Sequence, residues 1–273
     1  MKLATLGPAG TFSEQATEQF IRQQGFNSGT CIVFYSHLQR CLQAVPDEAD
    51  FAVVPIENVS EGFVPVVLDQ LLRADLHIVS ELHLNIEFSA CGHVNDKQSI
   101  KRLYVQFVAR GQCREFIEGL GDIEIISTQS NTESLQLANQ HGQGGAAIIP
   151  SHLMATKDYP AGLWAERQVH DYAHNQTRFL LLAAGPVPIA AQGQKTSLLV
   201  INENDRPGLL EKVLHCFSTR RLNLTSIVSR PTGQGFGRYH FFMDVQADMN
   251  NIAMQGALRA VAQIAEIKVL GCY

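Results

Sequence analysis

The chain has 273 residues, a hydrophobic content of 45% and a formal net charge of −5. This length allows one large or two ordinary domains, and the apolar content is typical of a globular protein with a sizeable core. The mild acidity disfavours a nucleic-acid partner, because phosphate backbones are bound by basic surfaces. The sequence contains no apolar run of about 18 residues, so it predicts no transmembrane helix. The first residues predict a buried strand rather than a signal peptide, so we expect a cytoplasmic protein without a membrane partner.

Short apolar runs alternate with helical patterns through residues 1–184, which predicts βαβ units and a mostly parallel sheet. Two such rounds are joined by a long extended stretch at 77–91. We therefore predict an α/β module of the periplasmic-binding-protein type, with one lobe at about 1–78 plus 166–184 and the other at 79–165. Ligands of open α/β sheets bind at the carboxyl ends of the strands, so the cleft between the lobes is the expected site.

The pattern changes after a Gly- and Pro-containing linker at 185–194. Residues 195–273 predict the order strand, helix, strand, strand, helix, strand, which is a ferredoxin-like α+β unit. A loop that opens the first helix of this unit, at 206–210, can receive the carboxylate of an amino acid on its amides. A purely structural dimerisation module explains the same pattern equally well.

Two polar segments follow predicted strands in the first lobe. In residues 7–14, the glycines allow a tight turn, and Thr11 or Ser13 can cap a helix. Exposed amides at that helix start favour an anion, although an ordinary strand-to-helix turn has the same pattern. In residues 54–62, Glu57 and Asn58 can either fix a hydroxyl or carboxylate of a ligand or cap the next helix.

A third polar segment, residues 175–179, precedes the last strand of the module. Thr177 offers a hydroxyl that can donate to a leaving oxygen. The planar fork of Arg178 suits a ligand carboxylate, and an exposed salt bridge at the strand edge is the alternative. His170 and His174 have the spacing of two metal ligands on a helix, but no HExxH motif surrounds them. The six cysteines have no metal-like spacing either, so we expect no metal and reduced thiols.

Together, residues 7–14, 55–58 and 175–179 resemble the signature of the prephenate dehydratase family in order and spacing. The tail from about 195 resembles the ACT domain that follows in that family, with Asn-Leu-Thr at 223–225 and Ser-Arg-Pro at 229–231. The resemblance implies an enzyme that binds prephenate between two lobes and releases phenylpyruvate, without cofactor or metal. It also implies feedback inhibition by phenylalanine, and pairing through the ACT domains into a homodimer or homotetramer.

The resemblance assigns roles to individual residues. Thr177 falls on the catalytic threonine, Arg178 on its carboxylate partner, and Glu57 and Asn58 on residues that orient the ring hydroxyl. The implied substrate contacts are Gly10, Thr11, Phe12, Ser60, Gln106, Asn131, Thr132, Asn175 and Phe179. The implied regulatory residues are Pro207, Gly208, Leu209, Leu210, Asn223, Leu224, Ser229 and Arg230.

The chain departs from the family pattern at several of these places. Val59 stands where a serine usually follows Pro-Ile-Glu-Asn, Gln106 stands in place of a histidine, and Asn131 stands at a Ser-Thr pair. In the ACT region, residues 207–210 differ from the usual Gly-Ala-Leu loop, and Val228 replaces a glutamate. Two alternatives to the dehydratase follow: a non-aromatising prephenate decarboxylase, suggested by Val59 and Gln106, and a non-catalytic amino-acid sensor with the same fold.

Overall fold

The structure is a computed structural model of the chain, and it describes residues 1–156, 159–160, 162–188, 191–201, 206–233 and 235–273. Residues 189 and 190 of the predicted linker lie outside the described residues. Within the described ranges, none of the helices combines the length and apolarity that crossing a membrane requires.

The first lobe is built on a twisted sheet with helices on both faces. Its strands and the strand that leaves it are β1 (Lys2–Leu6), β2 (Cys31–Tyr35), β3 (Phe51–Asn58), β4 (Gly62–Phe63), β5 (Leu76–Asn85) and β6 (Phe88–Gly92). Its helices are α1 (Phe12–Gln23), α2 (Leu38–Gln43) and α3 (Pro65–Arg73). The strands predicted at 3–6, 31–35 and 51–55, the helices predicted at 12–24 and 38–45, and the helix expected after Gly62 are confirmed within a few residues, whereas β4 was not predicted.

The second lobe has its own five-stranded sheet in the order β10-β6-β9-β7-β8. Its further strands are β7 (Arg102–Gln106), β8 (Glu124–Thr128), β9 (Gly145–Pro150) and β10 (Trp164–Arg167). Its helices are α4 (Phe107–Gln112), α5 (Arg114–Glu118) and α6 (Asn131–His141). The sequence pattern of residues 109–118 predicts a single helix, and this prediction is wrong. Asp171 accepts the amides of Arg114 at 2.9 Å and Glu115 at 3.1 Å and so starts a new helix after Cys113.

The chain returns to the first lobe through β11 (Gln176–Ala184), which lies between β3 and β5 and is antiparallel to both. Within the first lobe, β1 is parallel to β2 and β3, whereas β11 is antiparallel to β3 and β5, so the sheet is mixed rather than mostly parallel. The predicted crossing stretch at 77–91 is confirmed as β5 and β6, one in each sheet. The chain passes between the lobes twice, from β5 to β6 and from β10 to β11. The cleft between the lobes therefore lies at the carboxyl ends of β1 and β3, beside the start of β11.

The C-terminal module has the predicted ferredoxin-like order. It consists of β12 (Thr196–Ile201), α7 (Leu209–Ser218), β13 (Leu224–Pro231), β14 (Tyr239–Val245), α8 (Ile252–Ala262) and β15 (Glu266–Cys272). Its sheet continues that of the first lobe, because Gly271 of β15 lies opposite Ile78 of β5. Leu199, Phe242 and Leu270 of this module share a core cluster with strands of the first lobe. The two modules therefore pack as one unit.

Candidate active site

Two of the sequence motifs meet where β3 and β11 lie side by side. Asn58, at the end of β3, pairs with Thr177, near the start of β11. The Nδ2 of Asn58 lies 2.9 Å from the Oγ1 of Thr177 and 2.9 Å from the Oδ1 of Asn175. Thr177 and Asn175 are both buried, so water competes little for these hydrogen bonds. The structure thus brings together three residues that the motifs predicted.

Backbone donors fix the direction of the bond between Asn58 and Thr177. The Oδ1 of Asn58 accepts from the backbone amides of Ser60 at 2.9 Å and Glu61 at 3.0 Å. A backbone amide can only donate, so the amide oxygen of Asn58 faces these groups and its NH2 group faces Thr177. Thr177 is therefore the acceptor of this bond, and its own hydroxyl proton stays available for another acceptor.

The hydrogen bonds between the side-chain amides of Asn58 and Asn175 continue to Gln112 in the second lobe, a residue that the motifs did not single out. We call these three residues the amide chain. The Nδ2 of Asn175 donates to the Oε1 of Gln112 over 3.0 Å. Gln112 lies at the end of α4 and is only 4% exposed. The sequence signal for Gln112 is a long polar side chain between two buried residues, Ala109 on α4 and Cys113 directly after it. Gln112 therefore links the second lobe to the hydroxyl of Thr177.

Arg178 lies on the other side of the strand, because successive side chains of a strand point to opposite faces. Its Nε donates to Glu81 over 2.6 Å, its Nη1 to Asp244 over 2.5 Å, and its Nη2 to the hydroxyl of Tyr273 over 2.9 Å. Glu57 is on this face too, with its Oε2 3.9 Å from Nη1. The expected role of Arg178 as a ligand of the substrate carboxylate does not fit this position, because its guanidinium is buried and already paired. The alternative prediction for Arg178, an exposed salt bridge at the strand edge, is wrong too, because the side chain is buried.

The groups around Arg178 have shifted pKa values. Burial raises the pKa of Glu57 by more than the charge of Arg178 lowers it. Burial by itself would also raise the pKa of Glu81. The charges of Arg178 and of the hydrogen-bonded Lys195 outweigh this effect, so the pKa of the Glu81 carboxyl is lowered. Burial and the carboxylate of Asp244 raise the pKa of Tyr273, so its phenol stays protonated at neutral pH. At neutral pH Glu81 is therefore a carboxylate beside a protonated phenol.

The start of α1, where the sequence suggested an anion site, is closed by its own side chains. Thr11 accepts from the amide of Glu14, and the carboxylate of Glu14 accepts from the amide of Gly10 over 2.5 Å. This arrangement is similar to a capping box, except that Glu14 binds the amide of Gly10, one residue before the N-cap Thr11. The anion-site interpretation is therefore wrong for this conformation, and the ordinary helix cap is the one observed.

The predicted substrate contacts of the second lobe also make local bonds. The Oε1 of Gln106 accepts from the amides of Val108 at 2.8 Å and Ala109 at 3.2 Å, so this side chain caps α4. The hydroxyl of Thr132 donates across the cleft to the carbonyl of Ala9 over 2.8 Å. The buried Oδ1 of Asn131 has no hydrogen-bond partner among the residues that the structure describes.

The remaining expected contacts divide between cleft and core. The ring of Phe12 meets that of Phe88 edge to face, with centroids 5.3 Å apart. Ser60 is exposed, and its hydroxyl donates to Asn58 over 2.7 Å. Phe179 is buried in the apolar cluster that joins the two lobes, which makes it a core residue.

The expected regulatory residues fall into two groups at opposite ends of the C-terminal sheet. Ser229 pairs with Phe241, which in turn pairs with Val200 near the end of β12, the strand that precedes α7 in the chain. Leu224 pairs with Val245 at the other end. The first group therefore contains Pro207, Gly208, Leu209, Leu210, Ser229 and Arg230. The second contains Asn223 and Leu224.

Arg230 connects the first group to the first lobe. Its Nε and Nη2 donate to the two carboxylate oxygens of Asp69 on α3, over 3.0 and 2.8 Å. Leu210 lines a surface cavity of about 410 Å³ together with Leu214 and His215. Gly208 precedes α7 with a φ of 80°, which favours glycine.

The fold and site define a two-lobed α/β protein with a buried threonine hydroxyl where β3 lies beside β11, and with a ferredoxin-like module packed against the first lobe. Comparison with known proteins gives the family. The family model described as "Prephenate dehydratase" matches residues 3–186, and that of the ACT domain matches residues 196–263. The chain belongs to the prephenate dehydratase family and carries an ACT domain.

Similar proteins match along the whole chain. The prephenate dehydratase of Bacillus subtilis is 29% identical, over 100% of this chain and 98% of its own length. The crystal structure of prephenate dehydratase from Staphylococcus aureus is 28% identical with a TM-score of 0.86, over 100% of both chains. That of the Arthrobacter aurescens enzyme in complex with L-Phe is 30% identical with a TM-score of 0.82, over 99% of this chain and 89% of that one.

Proposed function

We propose that this enzyme converts prephenate to phenylpyruvate, with Thr177 as the hydrogen-bond donor to the departing oxygen. The observation that carries the proposal is the bond from Asn58 to Thr177, 2.9 Å long, whose direction leaves the threonine proton free. Membership of the prephenate dehydratase family supports the choice of substrate.

The reaction requires little of the protein beyond the positioning of the substrate and of a proton donor. Prephenate carries a carboxylate and a hydroxyl at opposite carbons of a cyclohexadiene ring. When carbon dioxide leaves, its bonding electron pair stays in the ring, the ring becomes aromatic, and the C–O bond breaks. The departing oxygen takes up a proton and leaves as water, so one prephenate dianion and one proton give one phenylpyruvate anion, one carbon dioxide and one water.

Thr177 suits this step because a threonine hydroxyl is a weak acid. It would hydrogen-bond to the substrate hydroxyl in the ground state and transfer its proton only as the C–O bond breaks, after which solvent restores the proton. General acid catalysis of this kind contributes about 10²–10⁴-fold in rate. Asn58 holds the threonine oxygen from behind. Glu57 lies on the far face, so we assign it to the support of the strand pair rather than to the ring hydroxyl.

The cleft residues would bind the rest of the substrate. We propose that Gly10, Thr11, Phe12, Ser60, Gln106, Asn131 and Thr132 line this space. Their caps and the cross-cleft bond of Thr132 to Ala9 would open as the substrate enters. The unpartnered buried oxygen of Asn131 supports this role, because it lies ready to accept from a substrate hydroxyl.

We also propose that phenylalanine inhibits the enzyme through the ACT domain, and that the chain pairs through this domain into a homodimer or homotetramer in the cytoplasm. The relative from Arthrobacter aurescens has L-Phe bound, and the ACT match covers residues 196–263.

Product identification tests the proposal. The purified full chain is incubated with prephenate, with and without phenylalanine, and the products are identified by NMR and mass spectrometry. Phenylpyruvate, formed more slowly in the presence of phenylalanine, is the expected result. A non-aromatic dihydro product would replace the dehydratase by a decarboxylase. Binding of phenylalanine without any turnover would replace it by an amino-acid sensor.

A further inference from the structure

A group of buried and partly buried charged and polar side chains connects the two modules behind the cleft. We call it the Arg178 network. From the first lobe it contains Arg178, Glu57 and Glu81, and from the C-terminal module Lys195, Ser197, Asp244 and Tyr273.

The C-terminal module supplies two of the three hydrogen-bond partners of the Arg178 guanidinium. Asp244 is 1% exposed and accepts from Arg178 with one carboxylate oxygen and from the hydroxyl of Ser197 with the other. The hydroxyl of Tyr273 accepts from Arg178 and lies 2.7 Å from the Oγ of Ser197. The partners of Arg178 therefore hold one another in place, and a buried bond of this kind orients a side chain firmly.

Arg178 is joined by one peptide bond to Thr177. The pairing of β11 with β3 shifts register between Arg178 and Phe179, directly after the residues that pair with Asn58 and Glu57. Such an irregularity re-aims the neighbouring side chains and needs support from its surroundings. The guanidinium anchors the strand on one face at the point where the threonine hydroxyl leaves the other face.

We propose that Asp244 and Tyr273 of the C-terminal module are positioning residues for the reaction. By holding Arg178, they fix the start of β11 and so the place of the Thr177 hydroxyl. The inference rests on the proposed function, since it concerns the same hydroxyl. It gives the C-terminal module a part in the basal reaction.

The test compares Asp244→Asn and Tyr273→Phe with the parent in the full chain, with kcat and KM for prephenate as readouts. Both substitutions keep the side-chain shape: Asp244→Asn replaces the carboxylate that binds Arg178 by a neutral amide, and Tyr273→Phe removes the hydroxyl that accepts from Arg178. Lys268→Met is the matched control, because Lys268 makes separate contacts between the modules, to the carbonyls of Leu71 at 2.9 Å and Ala74 at 2.5 Å. Thermal unfolding of each variant is measured alongside.

We expect kcat to fall about tenfold or more in both network variants, because small misplacements of a catalytic group are costly. KM should change less than twofold, and Lys268→Met should keep the parent kcat. If Asp244→Asn does not fold, Tyr273→Phe decides alone. Parent-like kcat in a folded network variant overturns the inference while leaving the proposed function intact, and so does an equal loss of kcat in the control. A parent without turnover overturns both.

Discussion

Gln112 offers a sharp test of the amide chain, because it is the member of the chain furthest from Thr177. Methionine matches glutamine in length and has no comparable acceptor. In Gln112→Met, the Nδ2 of Asn175 loses its partner at 3.0 Å and becomes an unsatisfied donor in a buried site. Asn175 also receives a hydrogen bond from Asn58, so its displacement reaches the residue that holds Thr177.

The structure sets the size of the effect. An unsatisfied buried donor costs about 1–3 kcal/mol, which we expect as the loss in free energy of unfolding by urea. If Asn175 turns to find another acceptor, the bond from Asn58 to Thr177 loosens, and the barrier rises by part of the same amount. Each 1.36 kcal/mol is a factor of about ten in rate, so we expect kcat to fall roughly 5- to 50-fold.

Steady-state kinetics with prephenate and urea unfolding are measured on the same preparation. Gln112→Glu is the control, because its carboxylate can still accept from Asn175, and it should lose less activity than the methionine variant. If Gln112→Met lost stability while its kcat stayed within twofold of the parent, the amide chain would be structural only, and it would not orient Thr177.

Two further predictions concern stability. Burial lowers the pKa of His152, which lies beside Phe12, to about 4. Between the ordinary pKa of about 6.5 and pH 4, the unfolded chain binds a proton that the folded chain does not, so stability falls as the pH drops. His152→Gln should therefore reduce the loss of unfolding free energy from pH 7 to pH 4 by up to about 3 kcal/mol; parallel pH profiles would contradict this. A Cβ at Gly271 would lie 2.5 Å from the carbonyl oxygen of Ile78, so Gly271→Ala should cost about 1–3 kcal/mol in thermal unfolding. Gly111→Ala, which meets nothing within 4 Å, should cost nothing, and equal losses would contradict the steric explanation.

Periodicity predicted most of the fold because the elements carry their own local signals. The C-terminal module is an example: the apolar face of α7, with Val213 and Phe217 buried, is readable from spacing alone. The break between α4 and α5 is not, because the carboxylate of Asp171 that caps α5 lies 57 residues further along the chain. Local patterns do not contain such a partner.

The residues of the site likewise divide into those that the local sequence pattern predicted and those that it did not. The motifs around Asn58 and Thr177 predicted residues that do meet, since the end of β3 and the start of β11 lie at the same end of the sheet. They did not predict the surroundings of Arg178, whose partners Glu81 and Asp244 are 97 and 66 residues away. An arginine suits a substrate carboxylate and a buried aspartate equally well. The side chains that the C-terminal module brings to Arg178, Asp244 and Tyr273, distinguish the two.

The most direct test of the account compares Thr177→Ser with Thr177→Val. Serine keeps the hydroxyl and valine keeps the shape without it. Thr17→Val serves as the control, because it removes the hydroxyl of another buried threonine, which donates to the Ser13 carbonyl within α1. In prephenate turnover, the valine variant should lose about 10²–10⁴-fold in kcat with little change in KM, while the serine variant retains most of the rate. A valine variant that forms phenylpyruvate within a few-fold of the parent rate would contradict the role of Thr177 as the proton donor.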